Sequence, residues 1–431
     1  MGSVVLVTFA GRQQRMEILT SYVRKALERG LIDEWHIWDF TRAPEDHDWV
    51  SNEFGPVRYM HADVPYMPKG SLSKSSSFRM RASIGSDLHL ALLNPADPDN
   101  FFEFIIGGWD NQGCGLRKLS REGLKTFDRE FEPYWIRPTP GVLSNGSAND
   151  ILLQLDPSGV PSLFVNGVFI GSWPEITIAE EASVMVRGGF GADLEILDVT
   201  DSVRRYIGQP QEKAPYYRSY DYYAKHQAEY AETVFLKCDD DIVYMDLDKL
   251  NAFIDFRILN PHYLVLSANV VNNVACAYWQ QVAGMIPREL GQFEYPPEYG
   301  GSLWQSPEKA NALHDFFLSK TIKALPLPKQ VIEMSGARVS INFIAWLGKD
   351  LKHMSFGRAS DERTLTLDLP AFLKRPVGIF SDFTVSHLSF GPQELGLHVE
   401  RLLAGYEKLM RQTLGLKEPE RVADLPHLAV A

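Results

Sequence analysis

Apolar and polar residues alternate along the first part of the chain in a pattern that predicts strands and helices in turn. Residues 4–7 form a short apolar run, and residues 12–29 carry apolar side chains at helical spacing. Further apolar runs follow at residues 36–38 and 57–60. This order predicts the start of an α/β sheet with parallel strands, whose ends usually carry the ligand site.

The pattern changes at about residue 68. A Ser-rich stretch at residues 71–77 leads into short alternating segments broken by turns, and no convincing helix is predicted before residue 216. Within them, Asn166-Gly167 separates two apolar runs and favours a hairpin with a type I′ turn. Residues 68–197 are therefore expected to form an antiparallel β-sandwich.

The α/β pattern resumes after residue 198 with a Tyr-rich helix at residues 216–223 and an apolar strand at residues 233–237. Insertions are tolerated at loop tips because the host core is undisturbed. We therefore expect an α/β, Rossmann-like domain with a mostly parallel mixed sheet and an inserted antiparallel β-sandwich. The predicted boundaries are residues 1–66 and 198–431 for the host domain and 67–197 for the insert.

Composition narrows the class of protein. The chain has 431 residues, of which 45% are hydrophobic and 23% charged, as in globular proteins, and we find no apolar run of the roughly 20 residues that span a membrane. The first residues lack the pattern of a secretory signal, and the three cysteines are widely spaced. A cytoplasmic location is expected, with peripheral attachment to a membrane left open.

The formal net charge of −12 argues against a nucleic-acid partner, because phosphate binding relies on clustered lysine and arginine. An acidic protein that binds a diphosphate must offset the repulsion locally. A divalent cation held by carboxylates would do so.

The run Asp239, Asp240 and Asp241 follows the apolar strand at residues 233–237. Taken alone, three aspartates favour a solvated acidic turn over a metal site. The run is followed by a second apolar segment at residues 242–245, so it lies where a sheet ends, which favours the metal site. Alternate residues of a strand face the same way, so Asp239 and Asp241 are expected to bind Mg²⁺ or Mn²⁺, with Asp240 turned away.

Residues 235–244 resemble the D-x-D region of GT-A glycosyltransferases, and residues 5–12 look like the first strand and nucleotide loop of that fold. The resemblance implies a nucleotide-sugar donor, with a UDP-sugar favoured, and Mn²⁺ or Mg²⁺ as cofactor. It implies that Asp39 contacts the base and that Asp240 faces the donor sugar or a basic neighbour. The remaining implied donor contacts are Thr8, Phe9, Gly11 and Arg12.

Three acidic residues downstream are candidates for the base that deprotonates an acceptor hydroxyl. In inverting members of the resembled family such a residue lies on the acceptor side, which here gives Asp361, Glu362 and Asp350, in that order. A surface carboxylate or helix cap is the alternative for each. His387 is expected to complete the metal site, with a structural histidine as an equal alternative. Residues 267–273, rich in asparagine, are either sugar contacts or a polar loop.

Residues 102–112, with Leu116 and Arg117, resemble the β-sandwich module named after farnesoic acid O-methyltransferase. No methyl transfer is implied, since no Gly-rich cofactor loop accompanies the segment. An exposed Trp109 or Trp173 would stack on a sugar and make the insert a carbohydrate-binding module. The favoured expectation is that both tryptophans are core.

Together these features predict an enzyme of the hexosyltransferase class. It would move a sugar from a nucleotide-sugar donor to a hydroxyl of a glycan acceptor, with inversion, in surface polysaccharide or glycoconjugate synthesis. Two alternatives are a sugar-binding protein on a catalytically silent scaffold and a metal-dependent nucleotidyl or phosphoryl transferase. The latter is disfavoured because no P-loop or kinase-type glycine motif is present.

Overall fold

A computed structural model describes residues 2–62, 64–124, 133–208, 215–297 and 300–416. The strands are β1 (Val4–Ala10), β2 (Glu34–Asp39), β3 (Val57–Met60), β4 (Met67–Leu72), β5 (Ser77–Ser83), β6 (Leu88–Leu93), β7 (Asn100–Gly107), β8 (Gly113–Ser120), β9 (Trp135–Pro138), β10 (Ala148–Leu155), β11 (Pro161–Val165), β12 (Val168–Ser172), β13 (Ala182–Gly188), β14 (Leu194–Ile196), β15 (Val203–Ile207), β16 (Val234–Asp239), β17 (Ile242–Met245), β18 (Val265–Val271), β19 (Val331–Met334), β20 (Phe343–Leu347) and β21 (Val377–His387). The helices are α1 (Gln13–Glu28), α2 (Pro44–Glu53), α3 (Gly108–Asn111, a left-handed turn), α4 (Tyr217–Lys225), α5 (Leu247–Leu259), α6 (Val274–Val282), α7 (Ser302–Gln305), α8 (Pro307–Ser319), α9 (Asp361–Arg363), α10 (Leu369–Leu373) and α11 (Val399–Leu414).

The first of two compact units comprises Met1–Thr8, Arg12–Asp33 and Tyr220–Ala431. Its sheet runs in the order β1-β16-β20-β18-β21-β17, with β19 also paired to β21. The β18 and β21 strands are parallel, whereas β16 and β18 are both antiparallel to β20, and β17 and β19 are both antiparallel to β21. The sheet is therefore mixed, with helices α1, α5 and α11 packed near it.

The second unit comprises Phe9–Gly11 and Glu34–Ser219. It contains a six-stranded antiparallel sheet in the order β4-β13-β6-β7-β8-β9 and a run of strands in the order β12-β11-β10-β5-β14-β3-β15-β2. Alternate residues of both sheets point into one apolar core; among them are Leu90, Phe104, Ile151, Leu163 and Trp173. The two sheets thus share a core in the manner of a sandwich.

The mixed α/β architecture and the β-sandwich confirm the coarse expectation from sequence. The predicted hairpin is present as β11 and β12, and Asn166 and Gly167 both have positive φ, as a type I′ turn requires. The prediction of a mostly parallel sheet was wrong for the first unit, because strands such as β17 and β20 are antiparallel to the strands they pair with. The sequence-based domain boundaries stay a prediction. Among the described residues, no helix is both long enough and apolar enough to cross a membrane.

Candidate metal centre

The three aspartates lie where β16 meets β17. Asp239 is the last residue of β16, Asp240 and Asp241 form the turn, and Ile242 begins β17. In the pairing of β17 with β21, Ile242 lies opposite His387, the last residue of β21. Two strand ends distant in sequence therefore bring an imidazole beside the aspartates.

Asp239, Asp241 and His387 offer ligand atoms that all lie within 4.8 Å of one another. The imidazole Nε2 of His387 is 3.2 Å from Asp241 Oδ1 and 3.9 Å from Asp239 Oδ2. Neighbouring ligands of one octahedral Mg²⁺ at about 2.1 Å are about 3 Å apart. The spacing is thus close to that of a shared divalent cation.

The donor set also fits a cation chemically. Two carboxylates with one imidazole suit Mn²⁺. The Nδ1 atom of His387 is buried and has no hydrogen-bond partner within the described part of the chain. The tautomer with its proton on Nδ1 would leave the Nε2 lone pair available to a cation.

Two arginines of α1 and its N-terminal flank face the acidic turn. Arg12 donates to Asp240 through Nε at 3.2 Å and through Nη2 at 3.0 Å, and it also contacts Asp241. Arg15 donates to Asp241 Oδ2 at 3.2 Å. Glu394 accepts from Arg12 at 2.7 Å and lies 3.1 Å from Arg15.

The charges around the turn leave it slightly acidic. The carboxylates of Asp239, Asp240, Asp241 and Glu394 face three cationic side chains, those of Arg12, Arg15 and Lys237, which leaves one negative charge. One divalent cation would make the site positive and would suit a diphosphate. Arg12 is 41% exposed in its side chain, so part of its guanidinium is accessible to such a ligand.

Burial acts differently on the two buried aspartates. Burial disfavours the charge on Asp241, but His387, Arg12 and Arg15 outweigh it and lower the Asp241 pKa. Burial and the neighbouring Asp241 raise the pKa of Asp240, although Arg12 opposes them. Asp241 is therefore the more firmly ionised of the pair.

Asp239 connects the turn to the first base candidate. Its carboxylate accepts from Lys237 and, at 3.0 Å, from the amide of Asn342. Burial raises the pKa of Asp361, the nearby charge of Asp239 adds to that rise, and Lys237 opposes it. Asp361 thus lies in the electrostatic range of the metal-site carboxylates.

Glu362 borders a cavity of about 170 Å³. Arg338 donates to its carboxylate, while burial raises the Glu362 pKa. The cavity is also lined by Trp304 and by Ser340. Its mixture of an indole, a hydroxyl and an ion pair suits a polar ligand with an apolar face.

Asp350 has a different environment. Arg375 binds both of its oxygens, at 2.6 Å and 2.9 Å, and Arg257 lies 3.5 Å away. The Asp350 carboxylate is 4% exposed in its side chain. Asp350 therefore belongs to a buried ion-pair network with Arg257 of α5 and Arg375, and its role as the base stays a prediction that would require one of these contacts to break.

Replacing Asp350 with asparagine is expected to lower the free energy of unfolding by about 3 kcal/mol, because the substitution leaves the buried Arg257 without its counter-charge. Burial already lowers the pKa of Arg257 to about 10. Denaturant unfolding of the full chain would measure the change in the free energy of unfolding. Asp382→Asn, at an exposed position of β21, serves as the control and should change stability by less than about 0.5 kcal/mol. Equal stabilities for the two variants would contradict this role.

The residues expected to contact the donor are divided between the units. The hydroxyl of Thr8 is buried and lies 3.1 Å from Cys238 Sγ, and its contact with a donor stays a prediction. Of the residues expected to contact the donor, Arg12 lies beside the aspartates. Phe9 stacks on Tyr216 with ring centroids 5.1 Å apart, and Gly11 belongs to the same second unit.

Asp39 is buried, and its two carboxylate oxygens contact different side chains. Its Oδ1 accepts from the Thr41 hydroxyl at 2.6 Å, and its Oδ2 is 2.9 Å from His47 Nδ1. Burial opposes the charge, but His47 and Thr41 outweigh it and lower the Asp39 pKa. A contact between Asp39 and a nucleotide base stays a prediction that would require one of these bonds to be exchanged.

Residues 267–273 do not form an exposed polar loop. They lie in and just after the fully buried strand β18, and the amide of Asn269 donates to the carbonyls of Leu325 and Ser381. The side chain of Asn273 accepts from the first backbone amides of α6. Internal hydrogen bonds therefore account for these asparagines.

No family model and no curated protein matches this chain. Solved structures with similarity include a variant of human galectin-16, which is 14% identical with a TM-score of 0.22 over 33% of this chain and 96% of that chain. A carbohydrate-binding module from Bacillus subtilis is 11% identical, with a TM-score of 0.22 over 35% and 98%. The PSpry domain of TRIM65 is 8% identical, with a TM-score of 0.21 over 31% and 70%. These TM-scores assign neither a fold nor a ligand to this chain.

Sequence reasoning missed Arg15, Glu394, Lys237 and Asn342 as members of the site. Arg15 is one helical turn after Arg12 in sequence, and this spacing could have indicated it. Glu394 lies far from the aspartates in sequence, and only the tertiary fold brings it to Arg12 and Arg15.

Proposed function

We propose that the first unit is the catalytic part of a metal-dependent glycosyltransferase of the GT-A type. It would transfer a sugar from a nucleotide-sugar donor, a UDP-sugar in the favoured case, to a hydroxyl of a glycan. The observation that carries the proposal is the convergence of Asp239, Asp241 and His387, with Arg12 beside them.

Each residue has a role that its contacts support. Asp239, Asp241 and His387 would hold Mn²⁺ or Mg²⁺. When bound, the cation would supply positive charge that stabilises the departing diphosphate. Arg12 would share its guanidinium between Asp240 and a phosphate oxygen. The side chain of Arg15 is 7% exposed, and it would orient Asp241 through its contact with Oδ2.

Two features support the acceptor side: the raised pKa of Asp361 and the cavity bordered by the next residue, Glu362. A general base is most effective when its pKa lies near the working pH, and burial moves Asp361 in that direction. Asp361 is preferred to Glu362, since Arg338 occupies the Glu362 carboxylate. A single carboxylate that acts directly on the acceptor corresponds to an inverting reaction, which we include in the proposal.

A thermal-shift series tests the donor and metal together. A ligand that binds only the folded state raises the apparent melting temperature. UDP with Mn²⁺ should raise that of the wild type more than UDP or Mn²⁺ alone, and the increase should vanish in the Asp239→Ala, Asp241→Ala variant. Asp382→Ala is the matched control on β21 and should keep the shift. Equal shifts in the double variant and the wild type would refute the proposal, as would no shift with any of UDP, GDP or their sugar conjugates.

A further inference from the structure

The outer face of the six-stranded sheet in the second unit carries two exposed aromatic rings. Trp109 is 47% exposed, and Phe190 is 51% exposed. Trp173, by contrast, is 2% exposed and lies in the sandwich core. The expectation that both tryptophans are core is therefore wrong for Trp109.

Trp109 is held flat against two glycines of β8. A Cβ at Gly113 would lie 3.5 Å from the indole Cε3, and a Cβ at Gly115 would lie 3.0 Å from Cη2. The six-membered ring thus covers a stretch of strand that has no side chains on that face. One face of the indole rests on backbone and much of the ring is open to solvent.

The turn that carries Trp109 adopts a conformation that residues with side chains disfavour. Trp109, Asp110 and Asn111 have φ values of 54°, 57° and 61°, all in the left-handed region. The Asn111 side chain fixes the turn by donating to Leu143 O at 2.6 Å and accepting from Leu143 N. Conformations of this kind persist where the surroundings enforce them, often at ligand sites.

Phe190 lies in a neighbouring loop and shares the left-handed geometry, with φ of 48°. Asp87 joins the two loops, since its amide donates to Gly107 O at 3.0 Å and its carbonyl accepts from Gly189 N at 2.8 Å. The ring of Phe190 is 6.0 Å from that of His89. Both exposed rings therefore belong to linked loops at one end of the sheet.

The sheet face beside these rings carries a buried ionic cluster. Glu103 is fully buried and accepts from Arg117, Tyr66 and His89. In the strand register, Glu103 lies opposite Arg117 and Arg187 lies opposite His89, so these side chains share one face. This ionic cluster ties β6, β7, β8 and β13 together beneath the two loops.

We propose that Trp109 and Phe190 form a binding site for an uncharged glycan, with the C–H face of one pyranose ring stacked on the indole. Sugars combine an apolar C–H face with a rim of hydroxyls, which matches flat aromatic rings set among polar groups. A protein partner would bury a wider apolar centre. The site lies wholly in the second unit and does not rest on the proposed glycosyl transfer.

Saturation-transfer difference NMR with the full chain tests this site, with cellohexaose, laminarihexaose, maltohexaose and mannohexaose as probes. At least one probe should give transfer with the wild type. Trp109→Ala and Phe190→Ala should each weaken binding at least about tenfold. Phe169→Ala, at 47% exposure on β12 in the other sheet, is the matched control and should bind as the wild type does.

Thermal unfolding would verify the fold of each variant. Should Trp109→Ala unfold, Gly115→Ala provides a second test, because its new methyl group would lie 3.0 Å from the indole Cη2 and shift the ring off the strand, which should weaken binding in a folded protein. The proposal is overturned if no probe gives transfer with the wild type, or if folded Trp109→Ala or Gly115→Ala binds like the wild type. It is equally overturned if sedimentation shows a dimer that Trp109→Ala dissociates, since the rings would then join two copies of this chain.

Discussion

Asp241→Asn is expected to lower glycosyl transfer by at least about a thousandfold. Although burial opposes the charge, His387, Arg12 and Arg15 lower the pKa of Asp241 and keep it ionised, and a carboxamide at this position would bind a divalent cation far more weakly. Losing a cation that stabilises the departing diphosphate costs several kcal/mol in the transition state, and each 1.36 kcal/mol is about tenfold in rate. The measurement is the rate of UDP release from a UDP-sugar at an Mn²⁺ concentration that just saturates the wild type.

Two comparisons separate a metal effect from a folding effect. Asp382→Asn removes the same charge at an exposed position of the same sheet, away from the aspartates, and it should leave the rate unchanged. Raising the Mn²⁺ concentration should recover part of the activity of Asp241→Asn, because weaker binding is offset by mass action. If Asp241→Asn stayed folded and kept the wild-type turnover rate, Asp241 would not be a metal ligand.

Asp361→Asn is expected to lower transfer to the acceptor by about a hundredfold to ten thousandfold, the range that general bases contribute. Donor binding should persist, because Asp361 is not among the three converging ligand residues. The turnover rate with acceptor present would measure the loss of transfer. The thermal shift given by UDP with Mn²⁺ would show whether donor binding persists.

Glu362→Gln is the matched comparison, since Glu362 is the next residue and its carboxylate is held by Arg338. It should lower the rate by less than about tenfold. If Glu362→Gln lowered the rate of transfer more than Asp361→Asn does, Glu362 and not Asp361 would be the base.

The pH profile gives a further readout of Asp361. A base must be deprotonated, so the rate should fall as the pH drops through its pKa. Burial raises the Asp361 pKa, which places the fall at higher pH than for an ordinary aspartate. That acidic limb should disappear from the residual activity of Asp361→Asn.

The sequence was informative where local pattern and burial agree. The strand before Asp239, the helix after Arg12 and the turn at Asn166 all follow from apolar spacing and turn chemistry. His387 could be placed at the end of an alternating strand, but its approach to Asp241 depends on the pairing of β17 with β21, which spacing along the chain does not encode.

Other side chains have tertiary contacts that the sequence pattern did not indicate. Asp350 ends an apolar segment as a catalytic acid might, yet two arginines from other elements bind it. The asparagines at 269 and 273 bond buried backbone groups instead of a ligand. Trp109 is exposed because two glycines on the next strand let its ring lie flat on the sheet.

Electron paramagnetic resonance of Mn²⁺ in the presence of UDP tests the central claim most directly. The free-ion signal should fall as wild-type protein is added until one Mn²⁺ is bound per chain. The account predicts that the Asp239→Asn, Asp241→Asn variant leaves the free-ion signal unchanged, whereas Asp382→Asn binds as the wild type does. Equal Mn²⁺ binding by the double variant, or none by the wild type, would contradict a metal centre at Asp239, Asp241 and His387.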